Sequence, residues 1–264
     1  MSSARHTGYH RPILPRIGWW LVAIVLSPLL AIQIIYTLHR TPSMPEPPGA
    51  RKGVTGYTDA PRVRVLILGD SSAAGVGVDH QQDALSGQLV RRLVHNGWLV
   101  QWQTVAKIGA RTRDTVERLR DADVDSVDVV VIGLGVNDAT HLIPERRWLN
   151  ETADLLDLIA EKLDDPIVLF SGFPPIGRFP AMTRPLRNLM GWRADLMDRS
   201  RQGAFADLPS VIHMPFDMPL TAAHMAMDGF HPGPEVYDKW AEVAVQAWHS
   251  AQARRPIDVD GWTA

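Results

Sequence analysis

Between Val63 and Ala251 the chain alternates short β-branched and aliphatic runs with longer stretches of helical period, and this alternation constrains the fold more than any other feature. Val63 to Leu68, Trp98 to Val105, Val127 to Leu134, Ile167 to Phe170 and Val211 to Met214 read as strands. Helices are predicted near Ala84 to His95 and over Arg113 to Arg120, Arg146 to Leu163, Leu186 to Phe205 and Glu235 to Ala251. Strands that are apolar almost throughout must be covered on both faces. The expected fold is therefore a three-layer α/β/α sandwich around a five-stranded parallel sheet.

That domain is expected over residues 62–264, preceded by three segments of different character. Residues 1–16 are basic, with Arg5, Arg11 and Arg16. Residues 17–38 run for 22 positions without a charge and carry Trp19, Trp20 and Tyr36 near their ends. A bilayer crossing needs about 20 residues, with aromatic rings favoured at the interfaces, so this run is expected to be a retained transmembrane helix. Arg11 and Arg16 lie closer to it than two of the three later charges (Arg40, Arg51 and Lys52), which predicts a single-pass protein with an extracytoplasmic catalytic domain. Residues 39–61, rich in proline and glycine, read as a tether. A formal net charge of −2 gives no reason to expect a nucleic-acid partner, and the absence of cysteine excludes disulfides and thiolate metal sites.

In open α/β sheets reactive groups collect beyond the carboxyl ends of the strands. Four segments fall there: Gly69-Asp70-Ser71, Gly109, Gly135-Val136-Asn137-Asp138 and Asp228-Gly229-Phe230-His231-Pro232. Together they offer a hydroxyl nucleophile, an Asp/His pair three residues apart and donors for an oxyanion. A serine hydroxyl needs a base to take its proton, and that imidazole needs a partner to fix its tautomer. A tetrahedral intermediate also needs donors aimed at its charge. The Ser71 N–H, the Gly109 N–H and the Asn137 amide are candidates.

These segments resemble the SGNH, or GDSL-type, hydrolases over nearly the whole domain, the four letters falling on Ser71, Gly109, Asn137 and His231. The resemblance implies a flavodoxin-like SGNH hydrolase fold with Ser71 as nucleophile, Asp228 and His231 completing the triad, and Ser71, Gly109 and Asn137 forming the oxyanion hole. It calls for no cofactor and no metal. Ala73 stands where the family often has leucine or isoleucine, and Ile108 where asparagine often precedes the glycine.

Asp70 is expected to brace its turn and Asp138 to be structural. Two loops, 172–180 and 214–220, should border the site and supply Phe173, Ile176, Phe179, Phe216 and Met218 as substrate-binding residues, although ordinary packing accounts for them equally well. Arg184, Arg187, Arg193, Arg199 and Arg201 read as a solvated helix face rather than a lipid-facing one. The leading function is a membrane-tethered carboxylester hydrolase of esterase or lipase type, acting on a small-molecule, lipid or carbohydrate ester, O-deacetylation included. Two alternatives stand beside it: a metal-assisted phosphoesterase using Asp70, Asp138, Asp228 and His231, and a non-catalytic ligand-binding module on the same fold.

Overall fold

The computed structural model describes residues 13–216 and 220–252. Strands β1 (Lys52–Thr55), β2 (Arg62–Gly69), β3 (Leu99–Ala106), β4 (Val129–Gly133), β5 (Ile167–Ser171) and β6 (Val211–Met214) form one sheet in the order β1-β3-β2-β4-β5-β6. From β3 to β6 every pairing is parallel. The central strands β4 and β5 are buried at every position, as non-alternating apolar runs require.

Helices α3 (Leu85–His95), α4 (Thr112–Asp121), α5 (Val136–Thr140), α6 (Glu145–Lys162), α7 (Leu186–Ala204) and α8 (Pro234–Gln252) cover the sheet. α3 packs against α8, and α4 against α6. Trp148 of α6 and Trp248 of α8 are among the largest fully buried side chains.

The sheet corrects the expected strand count. It has six strands and is mixed, because β1 adds to β3 in antiparallel sense. β1 lies within the segment read as a tether. Its sequence, Lys52-Gly53-Val54-Thr55, holds one large apolar residue and is largely exposed, so it carries no amphipathic pattern. Only the ladder to β3 defines it, and a ladder is not visible in local composition.

The uncharged run also differs from its expectation. It forms two helices, α1 (Ile13–Val25) and α2 (Ser27–Arg40), bent by 79° at the break, and no single described helix is long and apolar enough to cross a membrane. Pro28 in the first turn of α2 lacks an N–H to continue α1, which accounts for a break at this place. The pair lies against α7. Arg16 pairs with Glu145 at 2.6 Å and donates to Ser200 Oγ, and the Trp19 indole donates to the Leu189 carbonyl at 2.8 Å.

The arginines of α7 do not form one solvated face. Arg193 is buried and donates to the carbonyls of Ala139 and Ile143, tying α7 to α5. Arg201 is buried over the Phe170 ring and donates to Asp198 and to the Ser171 carbonyl at 2.7 Å; burial pushes its pKa down to about 10. Both arginines satisfy carbonyls at the edge where β4 and β5 end.

Candidate active site

Ser71 follows β2 directly. Asp70 donates its N–H to the Gly133 carbonyl, and the turn closes through Ala74 N–H to Asp70 O and Val76 N–H to Ser71 O. The Asp70 carboxylate accepts from the Ser72 N–H at 2.9 Å, bracing the turn. This leaves Ser71 8% exposed at the carboxyl edge of the sheet.

The Asp228/His231 segment reaches the same edge from the connection between β6 and α8. Gly229, at φ +63°, reverses the chain in a conformation that glycine adopts without strain. The reversal lets Asp228 Oδ1 accept from the N–H groups of Phe230 and His231, while Ala226 N–H donates to the His231 carbonyl. His231 Nδ1–H donates to Asp228 Oδ2 at 2.5 Å, and the Ser71 hydroxyl donates to His231 Nε2 at 2.9 Å. The bond to Asp228 fixes the ring tautomer and leaves Nε2 as the acceptor. Burial alone would raise the Asp228 pKa. Hydrogen bonds from the His231 ring and from the His231 and Phe230 amides outweigh it and hold the carboxyl below its ordinary value.

Asn137 opens α5 immediately beyond β4. Its amide donates to the Ala110 carbonyl at 3.0 Å and lies 3.5 Å from Asp70 Oδ2. Asp138 is fully buried and accepts from Thr112 N–H at 3.1 Å and Thr112 Oγ1 at 3.0 Å, while the Trp148 indole donates to that same hydroxyl. Asn137 and Asp138 therefore lash the β4–α5 corner to both sides of the Ala110–Thr112 stretch. Gly109 lies three residues before Thr112, in an exposed loop at φ +76°. It is not among the residues lining the cleft at Ser71. The backbone conformation is a sufficient reason for glycine there, since a Cβ would meet nothing within 4 Å.

The two buried aspartates differ from Asp228. Burial raises Asp70 to about 7, with the Asp138 charge adding and the Ser72 amide and His231 opposing. Burial raises Asp138 to about 6 against the donors of Thr112. Asp70, Asp138, Asp228 and His231 do not assemble as ligands: among the described residues no group of three or more histidines and carboxylates is placed to hold a metal ion.

A cleft opens at Ser71 and Asn137 and runs between Leu134, Val136, Phe179, Phe216, Phe230 and Trp240, with Leu220, Met225 and Val236 completing the wall. Phe179 and Phe216 thus stand where the loops were expected to place them. Phe173 is instead packed on Trp148, with ring centroids 5.7 Å apart, and Ile176 is fully buried; neither lines the cleft. Ile176 is turned inward because the 3₁₀ turn Ile176–Arg178 lies against α7, Gly177 meeting Gly191 backbone to backbone. Met218 lies outside the described residues.

Besides Pro232, six apolar lining residues lie outside the two loops read from the sequence: Leu134 and Val136 just beyond β4, and Met225, Phe230, Val236 and Trp240. Val236 and Trp240 sit four apart on α8, a spacing that puts them on one face. Trp240 donates to Ser171 Oγ at 2.8 Å, and the neighbouring Tyr237 hydroxyl donates to the Val76 carbonyl. Phe230, inside the Asp/His segment itself, packs on Phe179 at 5.2 Å. Met225 precedes that segment and bridges to Pro232.

A hydroxyl, an imidazole and a carboxylate in hydrogen-bonded sequence at the carboxyl edge of a parallel sheet, opening on an apolar cleft, place this protein in the class of α/β ester hydrolases. The sequence model of the GDSL-like Lipase/Acylhydrolase family matches residues 67–239, and the chain belongs to that family. It is an ester-hydrolysing enzyme. The same fold appears in the crystal structure of TesA (TM-score 0.59, 19% identity, covering 71% of this chain and 99% of that one). It appears also in the psychrotrophic esterase EstA from Pseudoalteromonas sp. (TM-score 0.55, 15% identity, 71% and 97%). A third likeness is Est24, a carbohydrate acetylesterase from Sinorhizobium meliloti (TM-score 0.55, 18% identity, 71% and 99%). No curated protein sequence matches the chain.

Proposed function

We propose that the protein is a serine carboxylester hydrolase in which Ser71 is the nucleophile, His231 the general base and acid, and Asp228 the group that orients and stabilises the imidazole. The observation that carries this reading is the unbroken hydrogen-bond chain from Ser71 Oγ through His231 to Asp228 at the mouth of the cleft. His231 Nε2 takes the hydroxyl proton as Ser71 Oγ attacks the ester carbonyl. The resulting oxyanion is met by the N–H groups of Ser71 and Gly109 and by the Asn137 amide. Its 3.5 Å contact with Asp70 is long enough to be exchanged for the developing charge. Collapse expels the alcohol, which receives the proton from His231. Water then attacks the acyl-serine by the same route in reverse, releasing the acid and restoring Ser71.

The cleft favours an ester with an apolar acyl chain. An acetyl group, as in the substrates of a carbohydrate acetylesterase such as Est24, would leave most of the wall from Phe216 to Trp240 uncovered. Accordingly kcat/KM on p-nitrophenyl esters should rise from acetate to medium chain lengths and exceed turnover of acetylated sugars. In Ser71→Ala, turnover of p-nitrophenyl butyrate should fall by at least ~10³-fold with an unchanged circular dichroism spectrum. Undiminished turnover would overturn the assignment. A chelator should leave the rate unchanged, whereas its loss would favour the metal-assisted alternative.

A further inference from the structure

The helix pair α1 and α2 leaves most of its aliphatic side chains outside. Trp19 and Leu30 are buried against the protein, with Ala23 and Leu26 beside them, and the pair's polar groups are turned inward as well. Arg16 binds Glu145 and Ser200, the Trp19 indole binds the Leu189 carbonyl, and Gln33 donates to the Arg184 carbonyl while accepting from the Leu186 N–H. The groups that face outward are aliphatic: Leu21 is 60% exposed, Val25 77% and Ile35 58%. A helix that faced water would reverse this arrangement. Between Ile17 and Leu38 there is no charge to solvate the outer face.

We propose that this face lies in the surface of a lipid bilayer, with α1 and α2 parallel to the membrane plane and the catalytic domain seated on them. Length argues against crossing, because helices of 13 and 14 residues each reach about 20 Å, short of a hydrocarbon core of about 30 Å. The 79° bend and the clamps to α7 hold both arms against the domain instead of letting them straighten into one rod. Charge names the occupant. Arg40 at the end of α2 and Arg184, whose carbonyl Gln33 binds, are exposed, Arg40 lies over the ring of the exposed Tyr36, and neither helix carries an acidic residue. Exposed Trp20 and Tyr36 supply rings suited to the headgroup level, and the cations suit anionic headgroups.

The seating also orients the enzyme. Gln33 grips the chain at Arg184 and Leu186, a few residues after Phe179, which lines the cleft. This consequence rests on the esterase reading; the seating itself does not.

The test uses the full chain and vesicles of phosphatidylcholine with and without phosphatidylglycerol. The protein should sediment with the vesicles, more strongly with the anionic lipid, and Ser71→Ala should sediment equally, so that failed chemistry and failed binding are told apart. The exposed-face variant Leu21→Glu/Val25→Glu/Ile35→Glu should lose about tenfold or more of the binding while keeping turnover of a soluble short-chain ester. Because the chain has no cysteine, a His10→Cys/His39→Cys variant reports topology directly. After reconstitution and treatment with a membrane-impermeant maleimide, intact mass spectrometry should find molecules with two labels or none. Molecules with one label would mean that the run spans the bilayer and would overturn the proposal. So would unchanged sedimentation of the triple variant, or a dimer in vesicle-free buffer that the triple variant abolishes, which would make the occupant a second copy of the chain.

Discussion

The two halves of the candidate site are built differently. On the side of the base, every atom stands where proton transfer needs it: Ser71, His231 and Asp228 are joined at 2.9 and 2.5 Å, and two backbone amides hold the carboxylate. On the side of the donors, the Asn137 amide is engaged with Ala110 and approaches Asp70, and Gly109 sits in an exposed loop outside the cleft wall. The base side is one five-residue turn meeting one strand end, so local geometry completes it. The donor side joins two separate loops and depends on the buried ties of Asp138 to Thr112 and of Arg193 to Ala139. The difference teaches that the hydrogen bonds of the proposed relay are in place without substrate, whereas the proposed oxyanion donors would have to exchange or shift their present contacts to meet one.

The sharpest way to break this contrast is at the relay. Asp228→Asn keeps the shape of the turn but removes the acceptor that fixes the imidazole tautomer, and kcat should fall by ~10⁴-fold at little cost in KM. A loss below tenfold would show that the relay is not the rate-setting half. Asn137→Ala, on the donor side, should lower kcat by ~10²–10³-fold with KM nearly constant, since an oxyanion donor acts in the transition state. If KM alone rises, Asn137 binds substrate and the two halves differ in another way.

The legible and illegible parts divide along the same line. The five parallel strands, Ser71 and the Asp228/His231 turn were readable because each depends on neighbours in sequence: a continuous apolar run, a tight turn, a three-residue spacing. β1 was not, being an exposed strand defined by its partner. Neither was the burial of Arg193 and Arg201, whose acceptors are carbonyls on α5, the loop that follows it and β5. The uncharged run 17–38 was read from its length, its lack of charge and its terminal aromatics, and the polar contacts that bind it to α7, Trp19 to Leu189 and Gln33 to Leu186, come from residues more than 100 positions away.

Smaller effects sharpen the donor half. Asp138→Asn places an amide among the donors of Thr112, and it should reduce kcat by about tenfold through a displaced Asn137 while leaving KM and the global fold in place. Thr112→Val should reproduce part of that loss; an unaffected kcat in both would make Asp138 purely structural.

The smallest effect is on stability. Asp70 is raised to about 7 in the folded protein against about 3.9 in the unfolded chain, so the folded state keeps this proton after the unfolded state has lost it. Its contribution to stability is therefore greatest below pH 4 and declines as pH rises through 7. Asp70→Asn should flatten the fall in urea-unfolding free energy between pH 5 and pH 8 by on the order of 1–3 kcal/mol. An unchanged slope would show that Asp70 is not the group responsible.

The central claim is that Ser71 carries a hydroxyl activated by His231. A fluorophosphonate probe reacts with such a hydroxyl and not with an ordinary serine, and the adduct can be located by peptide mass spectrometry. The account predicts one adduct, on Ser71, formed rapidly in the native protein and at least ~10³-fold more slowly in His231→Ala. An adduct on Ser72 or elsewhere, or labelling of Ser71 at the same rate without His231, would contradict it.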